Sequence, residues 1–125
     1  MNPVIKGQWI AALRSGDYTQ GHGWLSADGD YCCLGVLCEL AVHAGVIERL
    51  DNGENPDGAI SYGVEGDVNR QVLPQKVRIW AELDEVDPIV SNPSPEYPDD
   101  TDSLANMNDG GYTFGEIADA IERDL

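Results

Sequence analysis

Bases are scarce in this chain. Its 125 residues include seven Lys and Arg against 23 Asp and Glu, a formal net charge of -16. A phosphate backbone is bound by clustered Lys and Arg, so direct contact with nucleic acid is excluded, and anionic membranes repel such a surface. Long apolar runs are missing as well: no stretch approaches the roughly 18 residues that a membrane span needs. The opening "MNPVIKGQW" lacks the basic, then apolar, then small-residue order of a secretory signal, and a cytosolic protein is expected. Cysteine is limited to three residues, an odd count, and adjacent Cys32 and Cys33 are poor disulfide partners. Reduced thiols in a reducing compartment fit best. There is no internal repeat.

What is present suffices for one domain over residues 1–125, since 42% hydrophobic residues can build a core without disulfide or metal staples. In "NPVIKGQWIAALRSG", Asn2 can cap a helix with Pro3 at its first position. Ile5, Trp9, Ala12 and Leu13 then share one face, and Gly16 stops the helix. The Gly-rich stretch from Tyr18 to Tyr31, with its Asp-Gly signal, predicts a hairpin. "CCLGVLCELAVHA" predicts a second helix over 32–44. Cys33, Val36, Leu37, Leu40, Ala41 and Ala44 form its stripe, and Gly35, Glu39 and His43 form a narrow polar strip. A helix so apolar belongs at the centre, where Gly35 permits close approach of a neighbour.

"VIERL" reads as a strand or a helix end, "DNGENPDG" as a turn-rich loop, and "AISYGV" as part of a second small hairpin. A third helix starts at Pro74, with Leu73, Val77, Trp80 and Leu83 spaced to meet a core. Residues 84–102 hold four prolines and seven acids and predict an exposed acidic loop carrying at most one edge strand at "PIV". A helical turn over 103–107 and a last helix follow. Thr113 and Glu116 form a capping box for that helix, and Phe114, Ile117, Ala118 and Ile121 its buried side. The fold class expected is α+β: a central apolar helix, about three others and a small antiparallel sheet.

Four blocks, "ALRSGDYTQGHGWL", "YCCLGVLCEL", "LPQKVRIWAEL" and "LANMNDGGYTFGEIADAIE", resemble a family of small proteins encoded by tailed bacteriophages and prophages. The likeness covers most of the chain outside residues 46–70 and 84–102. It implies an accessory protein acting in the cytoplasm of a bacterial host, and carries no established activity.

Several chemistries compete for the conspicuous residues. Zinc at Cys32, Cys33 and Cys38 lacks the second Cys or His pair of a structural site, so no metal is expected there. "YCCLGV" is similar to the nucleophile helix of NlpC/P60-type cysteine peptidases, which implies Cys33 as the nucleophile. No histidine follows His43, however, and His43 lies about 15 Å along the helix from Cys33, leaving only His22 within possible reach. In "DNGENPDG", Asp51, Asn55 and Asp57 lack the glycine and ligand spacing of a calcium loop. The turn Gln20, Gly21, His22, Gly23 offers amides to an anion, and Arg14, Tyr31 and Cys32 at the helix start would complete a pocket for a nucleotide-type ligand. Turn-making and self-capping explain the same residues, as they do for Asn108 and Asp109, and packing explains Trp9, Trp24 and Trp80.

From Glu82 onward thirteen acids face a single base, Arg123, which suits either a solvated face or a surface that imitates nucleic acid. With no complete catalytic set and no cofactor signature, the expected activity is binding. It counters a host defence or redirects a host process, and its partner is a nucleotide-type signal or a host protein. The alternatives are a DNA mimic that inhibits a host DNA-binding protein, and a cysteine hydrolase using Cys33.

Overall fold

The computed structural model describes residues 1–50, 57–91 and 100–125. Helix α1 (Pro3–Arg14) begins where the Asn2 side-chain oxygen accepts from the Val4 and Ile5 amides at 3.0 and 3.1 Å, with proline just inside where no amide is missed. Its buried stripe is Ile5, Trp9 and Leu13. The hairpin expected over 18–31 is a ladder only at its tip. Strands β1 (Ser26–Ala27) and β2 (Asp30–Tyr31) flank Asp28 and Gly29, both at positive φ (53° and 85°), the pair that a tight two-residue turn demands. Upstream, the chain is tied by Tyr31 N to Thr19 O and Gly21 N to Tyr31 O, both 2.8 Å.

Helix α2 (Cys33–His43) starts one residue later than expected, because Cys32 is its cap, and Ala44 caps its other end. It is buried on every side from Cys33 to Glu39, so the expected polar strip of Gly35, Glu39 and His43 is exposed only at His43. The reason is local at each position. A Cβ on Gly35 would stand 1.8 Å from the Leu25 carbonyl oxygen, so this face of the helix is where the Leu25 backbone crosses. Glu39, 3% exposed, accepts at both carboxylate oxygens from the Arg49 guanidinium and meets the Tyr31 hydroxyl.

Arg49 lies on β3 (Glu48–Leu50), which settles "VIERL" as a strand. With β4 (Ser61–Val64) and β5 (Asp67–Asn69) it makes a three-stranded antiparallel sheet in the order β3-β4-β5, one strand more than the expected hairpin. Helix α3 (Gln75–Ala81) has Pro74 at its cap, not in its first turn. A proline side chain accepts nothing, and the Asp67 carboxylate takes the Gln75 and Lys76 amides instead, at 2.8 and 2.9 Å. The 84–102 segment is also corrected. Strands β6 (Ile89–Ser91) and β7 (Thr101–Ser103) pair antiparallel, with Pro88 and Val90 buried, while 92–99 lie outside the described residues.

Two helices close the chain: α4 (Leu104–Asp109), started by Ser103, and α5 (Phe114–Asp124), whose Thr113–Glu116 capping box is complete. Helix α1 packs on α5 and α2, and α4 packs on α2 and α5. Trp9 locks two of these helices by donating its indole N–H to Cys33 O at 2.9 Å. The result is one α+β domain with α2 at its centre and, among the described residues, three small antiparallel sheets.

Candidate functional site

The start of α2 is held by a residue far away in sequence. Asn108, on α4 and fully buried, accepts at Oδ1 from Cys33 N (3.2 Å) and from Gln20 Nε2 (2.9 Å), and its Nδ2 donates to Gly21 O at 2.8 Å. The Cys32 sulfur accepts from Gly35 N at 3.4 Å, and Cys32 O from Val36 N at 3.1 Å. The first-turn amides that would greet an anion are therefore already used. The turn preceding β1 is equally committed: Gly21 N goes to Tyr31 O, and Gly23 N to the Asp109 carboxylate at 2.9 Å. Gln20 Nε2 also reaches Tyr112 O at 2.8 Å.

Arg14 does not join this group. Its guanidinium bridges Asp119 and Glu122 of α5, each at 2.7 Å, because α1 and α5 run side by side and the last turn of α1 faces two carboxylates there. Those carboxylates also raise its pKa, through hydrogen bonds first from Glu122 and then Asp119. Tyr31 turns the other way, stacking edge-on against Tyr18 (centroids 5.2 Å apart), with its hydroxyl at Glu39. Of the residues expected to form one pocket, Gln20, Gly21, Gly23 and Cys32 thus meet around Asn108 and Asp109, whereas Arg14 and Tyr31 do not. His22 is exposed.

The thiols offer little to a catalytic reading. Burial pushes the Cys33 and Cys38 thiols well up and the Cys32 thiol up to about 11, outweighing the amides that would favour a thiolate at Cys32. The Cys33 sulfur donates to Leu104 O at 3.5 Å, inside the core. Among the described residues no three His, Cys, Asp or Glu are grouped to hold a metal ion. Residues 51–56, with the Asp51 and Asn55 of the calcium alternative, lie outside the described residues.

The surface that does gather polar groups is centred on Trp24. Three cavities, of about 310, 270 and 160 Å3, share this half-buried indole as a wall. The first also holds Val68 and Arg70. The second holds His22, Asp28, Asp30 and Asp57, and the third Cys32, Gln71 and Asp109. Leu25 N donates to Arg70 O at 2.7 Å, which fixes the two segments side by side and sets the Arg70 guanidinium over the Trp24 ring at 5.1 Å from its centroid. Arg70 also lies 3.9 Å from the Asp57 carboxylate. Gly58, at φ 72°, supports the acidic side. Its positive φ favours glycine, and a Cβ there would stand 2.2 Å from Asp28 Oδ1 and push that carboxylate aside, so glycine leaves the Asp28 side chain its place against the 57–60 segment.

The sequence alone assigns Trp24 to packing and Asp57 to a turn-rich loop and gives Arg70 no signal, because contacts across some 46 residues leave no local periodicity. A further cavity, of about 340 Å3, lies elsewhere, between Met1, Glu82, Pro88, Ile89 and Leu125, and contains none of the expected site residues.

No helix among the described residues is long and apolar enough to cross a membrane. Over residues 1–125 the chain matches, and belongs to, the family described as a domain of unknown function (DUF8296). Neither the curated proteins nor the solved structures contain a match to it.

Proposed function

We propose that this is a non-enzymatic accessory protein of the phage-encoded kind that its motifs resemble, working in the cytoplasm of a bacterial host. It binds a basic, nucleic-acid-binding host protein and presents carboxylates where that protein expects phosphates. The observation that carries this reading is the fate of the arginines. Arg14, Arg49, Arg70 and Arg123 are each bound to an acidic side chain of the same chain, and Arg78 to Gln75 and the Leu83 carbonyl. The arginines serve as internal staples, and the surplus of carboxylates is left to set the outward field, which steers cationic partners. A nucleotide-type ligand is less well supported, since the amides and the arginine meant for it are engaged by Asn108, Asp109, Tyr31, Asp119 and Glu122.

The test is affinity capture from bacterial lysate with the tagged chain, followed by mass spectrometry. The expected result is a basic DNA- or RNA-binding protein that is released by salt of about 0.5 M and by added duplex DNA. Capture of no such protein, or capture indifferent to both salt and DNA, overturns the reading.

A further inference from the structure

We infer that the Trp24 groove is where the partner docks, and that its acidic side receives an arginine or lysine side chain of an extended segment. This rests on the binding reading above and assigns it a place. Charge complementarity selects the occupant. The cavity of about 270 Å3 beside Trp24 is lined by Asp28, Asp30 and Asp57, and of these only Asp57 has a cation near it, Arg70 at 3.9 Å, among the described residues. Asp28 and Asp30 line that cavity from either side of Gly29 in the two-residue turn, and Gly58, next to Asp57, leaves room for the Asp28 carboxylate. Like charges so placed repel one another, and a cation between them relieves the repulsion.

Chemistry already seated in the groove points the same way. Arg70 lies over the indole and beside a carboxylate, so this chain itself shows that a guanidinium fits against Trp24 with an acid at its edge. A second basic side chain, entering from the His22 side, meets the same indole and the two aspartates that Arg70 leaves unneutralised. Three cavities sharing Trp24 make the surface long enough for an extended segment rather than a single side chain. Val68, 49% exposed and lining the first cavity, supplies an apolar contact beyond Arg70. Carboxylates oppose an anionic ligand in two of the three cavities, Asp28, Asp30 and Asp57 in the second and Asp109 in the third.

The experiment measures fluorescence anisotropy of a labelled Gly/Ser peptide carrying two arginines, with the citrulline version as the uncharged counterpart, in about 50 mM salt so that screening stays weak. Four proteins are compared: the unaltered chain, Trp24→Ala, Asp28→Asn with Asp30→Asn, and Asp84→Asn with Glu85→Gln. The last pair removes the same charge from a different cavity. Expected are binding of the arginine peptide over the citrulline one, weakening by about tenfold in Trp24→Ala and in the Asp28/Asp30 variant, and a change of less than about twofold in the Asp84/Glu85 variant. Equal weakening by both charge variants, or none in Trp24→Ala, overturns the docking site. The Asp28/Asp30 variant is isosteric, so it decides the matter even if Trp24→Ala fails to fold. Lysate capture that survives in Trp24→Ala leaves the binding reading intact while removing this site, so the two failures are distinguishable.

Discussion

The Cys32 thiol, pushed up to about 11, shares its direction of shift with Cys33, Cys38 and Tyr62, and for one cause: the core gives a thiolate or phenolate no solvation. In the unfolded chain a thiol ionises near its ordinary value of 9.0. Above that pH the unfolded state has released protons that the native state still holds, so stability is complete below about 9 and is lost as pH rises through about 11. Cys32 alone accounts for roughly 2–3 kcal/mol of that loss, and the deeper thiols act with the same sign. Urea unfolding at about pH 7.5 and about pH 10.5 should show a midpoint that falls at the higher value. A flat or rising midpoint would mean that the thiols are not buried as described. Iodoacetamide provides a second check: at neutral pH none of the three thiols reacts in the native protein, and all three react in denaturant.

Helix α2 depends on a different residue for its position among the other elements. With Gly35 against the Leu25 carbonyl and Cys32 N donating to that same oxygen at 3.1 Å, the helix cannot accept a methyl group there without moving off the segment that leads into β1. Gly35→Ala is expected to cost about 1–3 kcal/mol or more through overpacking, although alanine is the better helix former, and a thermal melt should show the loss. An unchanged or higher melting temperature would contradict the close approach. This helix also marks the limit of what its sequence disclosed. Its span and its central place follow from 3.6-residue periodicity, as does α1, while the close approach at Gly35 follows from the glycine itself and the capping box of α5 from the Thr113–Glu116 spacing. Burial of Glu39 does not follow, because its partner Arg49 sits on a strand too short to announce itself. The candidate site was less legible still. Gln20, Gly21, Gly23 and Cys32 gather around Asn108 and Asp109, and the bonds of Asn108 to Gln20, Gly21 and Cys33 leave no mark in its local turn chemistry. Arg14 pairs instead with Asp119 and Glu122, because sequence spacing cannot say which neighbouring helix a terminal side chain will face.

At the scale of the whole molecule one quantity, the net charge of -16, acts with opposite signs on stability and on binding. Carboxylates left over after the arginines are paired repel one another across a small domain, and folding brings them closer than they are in the expanded chain. Salt shortens the reach of that repulsion: the screening length is about 30 Å at 0.01 M, comparable to a domain of this size, and about 3 Å at 1 M, less than most spacings between surface charges. The melting temperature should therefore rise as sodium chloride is increased from about 0.01 M to about 0.5 M. The internal ion pairs work against this trend, but most have at least one well-exposed partner and contribute little; among the described residues only Glu39–Arg49 has a buried carboxylate, and screening reaches such a pair least. Association with the proposed basic partner is expected to respond in the other sense, since the field that destabilises the free chain would drive that encounter, and salt removes it. Measuring both over one salt series separates the two consequences. A melting temperature that falls with salt would mean that the ion pairs, not the surplus carboxylates, dominate the folded state's electrostatics, and the outward acidic field on which partner binding is argued would then be weaker than the composition implies.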